Sequence, residues 1–178
     1  MAYDILVKSG TIIDGSGKAP FFGDVAISGD HIVAIGELGS ATAKQTIDAL
    51  GKHIVPGFVD ITNHSDTSLT IFKYPPLESF VMQGVTTIIG GNCGASLAPL
   101  ASKSAINAIK KWADPSEINV NWATVKEFLH TLEGFRPELN FGTCVGYGTL
   151  KRGIVEGKSR LLSFDERERI KYLLRQSI

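Results

Sequence analysis

The sequence predicts an α/β protein, with a small β-sandwich-like domain over residues 1–55 followed by parallel β/α units over residues 56–178. Three observations carry that reading. The first fifty residues alternate short β-branched runs with glycine-rich turns. Two later runs, Val85–Ile89 and Phe141–Val145, are apolar without alternation, as strands covered on both faces are. Segments of helical period lie between these runs, and strands alternating with helices favour a parallel sheet over a bundle or a sandwich.

In the first region Ile5–Val7, Thr11–Ile13, Val25–Ile27 and Ile32–Ile35 read as strands, and Gly29-Asp30 supplies a hairpin turn between the last two. From Ile54 the pattern changes. Phe58–Ile61 reads as a short strand that runs into a polar loop. Pro75-Pro76 opens a helix through Leu77, Phe80 and Val81, which Gly84 ends. Val85–Ile89 closes in Gly90-Gly91-Asn92-Cys93-Gly94. A helix is predicted from about Ser104 to Trp112, ahead of Asp114-Pro115, and another near Asn121 places Trp122, Val125, Phe128, Leu129 and Leu132 on one face. Phe141–Val145 ends at Gly146-Tyr147-Gly148. Ser163-x-x-Glu166 has the form of a capping box, so the last helix begins there.

Composition narrows the partners. Of 178 residues 43% are hydrophobic and 20% charged, enough apolar surface to offset chain entropy. Eighteen Lys and Arg balance eighteen Asp and Glu, which leaves no electrostatic case for nucleic acid or an anionic membrane as the main partner. Asp4 and Lys8 interrupt the opening segment, so it lacks the apolar core of a signal peptide, and no run approaches a membrane span. Cys93 and Cys144 are too few for a disulfide framework and suit a reducing compartment. A cytoplasmic location is expected.

Functional groups in parallel β/α folds gather beyond the C-terminal ends of strands. Three such positions are Asn63-His64-Ser65-Asp66, Asn92-Cys93-Gly94 and Gly146-Tyr147-Gly148. His64 and Cys93 are 29 residues apart, yet on adjacent parallel strands they point into one mouth, and nitrogen with sulfur is a donor set that suits zinc. Spacing alone favours a plainer reading, a surface or hydrogen-bonded histidine and a small buried cysteine. A Cys93 nucleophile with His64 as base is a further reading, supported only by the two residue types. His31, His53 and His130 read as structural or solvated, and Tyr3, Tyr74, Trp112 and Trp122 as packing residues. The glycines at 90, 91 and 94 lack the remainder of a phosphate-binding loop.

Several blocks together resemble the N-terminal part of the N-acyl-D-amino-acid deacylases (D-aminoacylases) of the metal-dependent amidohydrolase superfamily. They are Pro56-Gly57-Phe58-Val59-Asp60, His64-x-Asp66, Gln83-Gly84-Val85-Thr86-Thr87, Gly91-Asn92-Cys93-Gly94 with Ser96-Leu97-Ala98-Pro99, Asn121-Trp122 with Thr124-Val125, and Gly146-x-Gly148-Thr149-Leu150. The resemblance implies a small β domain followed by the first units of a (β/α)8 TIM-type barrel, incomplete at residue 178, with zinc at the barrel mouth. It implies hydrolysis of the linear amide of an N-acyl-D-amino acid by metal-activated water. His64 matches the second His of the family's His-x-His pair and Cys93 matches its Cys. Thr62 stands at the first His position, Tyr147 where relatives carry His, and Lys151 where they carry Arg.

The resemblance further implies that the later histidines and the Asp that shuttles the proton lie beyond residue 178. Asp66, in the first loop, is a weak substitute. Pro56 is followed by only 122 residues, against about 250 for a complete barrel, and room remains for three of eight units. The expectation is therefore an N-terminal fragment, inactive alone, that self-associates or pairs with a complementary chain because its sheet edges are open. A non-catalytic relic or interaction module of the same fold is the alternative. A cyclic amidase is disfavoured by the Asn92-Cys93-Gly94 block, since relatives of that kind more often place a carboxylated Lys between their metals.

Overall fold

The computed structural model describes residues 2–178 and divides into two compact units, Met1–Pro56 and Gly57–Ile178. No helix among the described residues is long and apolar enough to cross a membrane.

The first unit is one sheet. Its strands are β1 (Tyr3–Ile12), β2 (Phe21–Ser28), β3 (His31–Gly36), β4 (Ala43–Asp48) and β5 (His53–Ile54), in the order β3-β2-β1-β4 with β5 also on β1. β1 pairs antiparallel with β2 and parallel with both β4 and β5. The expected break between Ile5–Val7 and Thr11–Ile13 is a bulge inside one strand, where Ser9 takes a left-handed φ of 62° and the register shifts. Asp24, almost fully buried, fixes the bulge by accepting the Ser9 amide N–H at 2.8 Å and the Leu38 amide N–H at 3.1 Å. β1 thus pairs β4 through its first half and β5 through its second. The Gly29-Asp30 turn forms as expected between β2 and β3.

The second unit is built on three parallel strands, β6 (Phe58–Asp60), β7 (Val85–Gly90) and β8 (Asn140–Thr143), in that order. Asp60 lies opposite Ile88, and Ile88 opposite Phe141, so the three strands end close to one level. The connections carry α1 (Thr70–Lys73), α2 (Glu78–Val81), a 3-10 segment Lys103–Ile109 and α3 (Val125–Gly134), followed by α4 (Tyr147–Ile154) and α5 (Phe164–Arg175). Several expectations shift here. The helix expected to open at Pro75-Pro76 is the single turn of α2, because Leu77 sits in a left-handed conformation (φ 47°) and allows no earlier start. Ser104–Trp112 is 3-10 rather than α-helical over Lys103–Ile109, and α3 begins only at Val125 because Thr124 and Glu127 close a capping box. Trp122 precedes α3, yet it is buried, and its indole N–H donates to the Leu97 carbonyl at 2.7 Å.

The core holds Leu69, Ile71, Phe72, Ile88, Leu97, Ile109, Trp122, Phe128 and Leu132. Phe128 is its hub. Its ring lies 5.3 Å from Trp122, 6.4 Å from Phe72 and 5.9 Å edge-on from Phe141, tying α3 to α1 and β8 through aromatic contacts worth about 0.5–1.5 kcal/mol each beyond burial. Phe128→Ala is accordingly expected to cost about 3–5 kcal/mol of stability, read as a lower urea midpoint.

The α5 capping box forms as expected, with the Ser163 hydroxyl accepting the Glu166 amide N–H at 3.2 Å. The Arg160 guanidinium, followed by the Ser163 amide, holds the Glu166 carboxyl down to about 2. A depressed carboxyl stabilises the folded state above its ordinary value of 4.5 and loses that contribution as pH falls toward about 2. A carboxyl-carbon NMR titration should place the Glu166 midpoint near 2, and Arg160→Ala should move it up toward 4.5.

Candidate metal centre

His64 belongs to a tight turn at the end of β6 that its neighbours pin down. The Thr62 amide and the Asn63 side chain donate to the two Asp60 carboxylate oxygens, each at 3.0 Å. Asn63 Oδ1 accepts the Ser65 amide N–H at 2.8 Å, an Asx turn, and the His64 carbonyl accepts both the Ser68 hydroxyl (2.7 Å) and the Ser68 amide (2.9 Å).

Cys93 arrives on the neighbouring loop. Gly91 (φ 73°), Cys93 (φ 54°) and Gly94 (φ 73°) are all left-handed, so the chain turns sharply after β7 and leaves the thiol exposed. For Cys93, with its Cβ, that conformation costs about 1–2 kcal/mol. Asn92 ties the loop to the His64 turn by donating its side-chain N–H to the Asn63 carbonyl (3.2 Å) and to the Ile89 carbonyl (2.7 Å). The result is a contact of 3.4 Å between Cys93 Sγ and His64 Nε2.

That separation answers to two chemistries. Without an ion it is a thiol–imidazole hydrogen bond. Around a tetrahedral zinc, with bonds of about 2.3 Å to sulfur and 2.0–2.1 Å to nitrogen, two donors stand about 3.6 Å apart, so the pair fits a shared ion with almost no movement. His64 Nδ1 lies 3.3 Å from Thr67 Oγ1, leaving Nε2 as the nitrogen turned to Cys93. Trp112 stacks on the imidazole with centroids 5.5 Å apart and Lys111 Nζ 3.8 Å from the indole centroid. Sequence assigned Trp112 to packing; it packs on the core and also flanks His64.

From its place in the first loop Asp66 reads as a weak substitute acid or base. Its side chain is fully buried, which raises its pKa, and Oδ2 accepts the Gly91 amide N–H at 2.8 Å. It does not open to the mouth. Among the described residues, no cluster of three His, Cys, Asp or Glu side chains capable of holding a metal occurs. His64 and Cys93 therefore meet as a pair.

The third loop locks onto the second by backbone contact. The Cys144 amide donates to the Gly90 carbonyl (3.0 Å) and the Thr149 amide to the Gly94 carbonyl (3.2 Å). Buried Ser96 and Thr149 complete the join: Ser96 Oγ accepts the Gly146 amide at 3.0 Å, and Thr149 Oγ1 accepts the Ser96 amide at 2.9 Å while donating to the Ser96 carbonyl at 3.0 Å. Tyr147 is more than half exposed at the start of α4, a helix that the Gly146-Tyr147-Gly148 segment does not announce.

No protein-family model matches the chain. N-acyl-D-aspartate deacylase of Alcaligenes xylosoxydans xylosoxydans is 32% identical over 175 residues, covering 98% of this chain and 34% of the relative. D-aminoacylase of the same organism is 31% identical over 164 residues, covering 92% of this chain and 33% of the relative. Among solved structures, N-acyl-D-glutamate deacylase from Bordetella bronchiseptica, complexed with zinc and a phosphonate inhibitor, superposes with a TM-score of 0.84 at 29% identity over 99% of this chain and 36% of that one. A D-aminoacylase structure gives 0.82 at 31% identity over 98% of this chain and 36% of that one, and another D-aminoacylase study concerns its binuclear metal centre. The chain spans about a third of the length of the relatives it matches.

Gly91 is where this geometry is least tolerant. A Cβ there would stand 2.0 Å from the Cys144 carbonyl oxygen, on a backbone already left-handed. Gly91→Ala should cost at least about 1–3 kcal/mol from the backbone conformation alone, measured by denaturant unfolding.

Proposed function

From the homology of this chain to the N-terminal portion of the N-acyl-D-amino-acid deacylases, we infer that it supplies the first part of a zinc-dependent hydrolase of linear amides acting on N-acyl-D-amino acids. The single observation that carries the reading is the 3.4 Å approach of Cys93 Sγ to His64 Nε2 at the C-terminal ends of adjacent parallel strands. β6, β7 and β8 with their helices are then the first three units of a (β/α)8 barrel. All three strands run parallel, their ends stand near one level, and Phe58, Val59 and Ile61 on the outer strand and its following loop are more than half exposed, as a strand awaiting a neighbour is.

Zinc, when bound, supplies a Lewis acid for the amide carbonyl and a water of lowered pKa. The residues of this chain do the holding and orienting. Cys93 contributes charge and softness as a thiolate, His64 contributes Nε2, Thr67 fixes the ring from its other nitrogen, and Trp112 restrains it and sheds water from one face. A catalytic zinc takes about three protein ligands plus water, so the reading requires at least one donor besides this pair and a carboxylate other than Asp66 for the proton. Thr62, exposed at the end of β6, offers no imidazole for a second metal. The cytoplasm is the proposed location, in keeping with two free cysteines.

Zinc content should depend on Cys93 more than on His64, because loss of the thiolate removes both charge and the softer ligand. Metal analysis after equilibration with zinc and gel filtration, comparing Cys93→Ala and His64→Ala with the parent in the chain joined to the remaining two-thirds of a D-aminoacylase, reads this directly. Unchanged zinc in Cys93→Ala would remove Cys93 from the site.

Turnover is the second test. The 178 residues alone should give no hydrolysis of N-acetyl-D-glutamate, N-acetyl-D-aspartate or N-acetyl-D-leucine with added zinc, and light scattering should find them self-associated. Joined to the remaining two-thirds of a D-aminoacylase, they should support D-selective hydrolysis that Cys93→Ala abolishes. A monomer that turns over substrate unaided would show that three strands suffice, and L-selective or absent hydrolysis in the joined protein would count against the deacylase reading.

A further inference from the structure

We propose that Asp66 is a positioning residue for the His64–Cys93 pair, its buried carboxylate clamping the Gly91 amide and so setting the thiol against the imidazole. The proposal rests on the reading of these two residues as zinc donors.

One rigid turn carries both the donor and the clamp. His64 and Asp66 are two residues apart, and the turn is closed by the Ser68 amide on the His64 carbonyl and the Leu69 amide on the Asp66 carbonyl, each at 2.9 Å. From that turn Asp66 Oδ2 reaches across to the Gly91 amide, two residues before Cys93. Any displacement of the Cys93 loop must therefore break a hydrogen bond to a carboxylate with no access to solvent, an exchange more costly than losing an ordinary surface contact. The opposite strand leaves the carboxyl no latitude, since a Cβ on Gly90 would lie 2.7 Å from Asp66 Cγ. The cost of burial has not been met by pairing both oxygens: Oδ1 has no partner among the described residues. The hydrogen bond that this fully buried carboxyl makes outside its own turn is directed at the loop that presents the thiol. Outer groups that fix a metal donor typically govern affinity by about 10–100-fold.

Cadmium titration of this chain joined to the remaining two-thirds of a D-aminoacylase, followed by the ultraviolet thiolate-to-cadmium charge-transfer band, tests the clamp, with circular dichroism confirming the fold of each variant. Hydrogen exchange at the Gly91 amide in metal-free protein reads the bond itself. Asp66→Ala should weaken cadmium binding by about 10–100-fold and unprotect Gly91. Asp66→Asn, which keeps an acceptor in the same place, should stay close to the parent in both readouts. Asp66→Glu, with the same charge but a longer reach, should behave like Asp66→Ala, and it carries the test if Asp66→Ala does not fold. Parent-like affinity in Asp66→Ala or Asp66→Glu would overturn the proposal. So would an Asp66→Asn as weak as Asp66→Ala, since charge rather than the directed bond would then be responsible. Absence of the band in the joined parent protein would instead overturn the zinc reading, and this proposal with it.

Discussion

Because β6, β7 and β8 pair in parallel with Asp60, Ile88 and Phe141 at one level, their three outgoing loops emerge side by side and must share one small space. Backbone then meets backbone. A Cβ at Gly91 would stand 2.0 Å from the Cys144 carbonyl, and one at Gly146 would stand 2.7 Å from Gly94. Where side chains cannot separate the loops, hydrogen bonds must join them. The buried Ser96–Thr149 knot, the Asn92 side chain and the Asp66 carboxylate are those joints. The Cys93 to His64 contact is a consequence of this crowding, since neither loop has freedom to draw back.

The elements legible in the sequence are those whose signal is local and strong. Val85–Ile89 announces β7 because an apolar β-branched run has few alternatives, and the Ser163–Glu166 capping box marks the start of α5 because its two reciprocal hydrogen bonds are written into residues three apart, whereas the Thr124–Glu127 box that starts α3 is masked by the apolar Trp122 ahead of it. α1 and β5 are too short to carry a period, and β4, as long as β7, reads Ala-Lys-Gln-Thr-Ile-Asp with too few apolar residues to announce a strand, so all three depend on what they pack or pair against. α4 opens on Tyr147-Gly148, residues that read as a turn, yet the Thr149 amide on the Gly94 carbonyl and its hydroxyl on Ser96 anchor that first turn from outside the helix. Ser9 breaks β1 in sequence but only bends it in space, because Asp24, fifteen residues later, catches the freed amide.

The site divides the same way. The rule that chemistry gathers past strand ends, applied to residue types, was enough to bring His64 and Cys93 into one mouth. It could not assign what surrounds them. Thr67 reaches His64 Nδ1 only through the turn geometry, and Trp112 reaches the ring from the turn after the 3-10 segment Lys103–Ile109, where periodicity read a helix. Asp66 is the clearest case: near the mouth in sequence it suggests an acid or base, whereas burial turns it inward to the Gly91 amide. Two positions along a loop are enough to reverse which side of the sheet's rim a carboxylate serves.

This division bears on how the chemistry is allotted. On the proposed zinc reading Cys93, as a thiolate, is the charged member of the pair, and Thr62 adds no imidazole to it. Thr62 is committed through its amide to Asp60, which in turn holds Asn63 and with it the His64 turn. Its place in the chain still serves the remaining histidine, through the backbone rather than through a ligating side chain. On the zinc reading proposed above, Cys93 and His64 contribute two of the ion's donors from neighbouring turns that are hydrogen-bonded to one another.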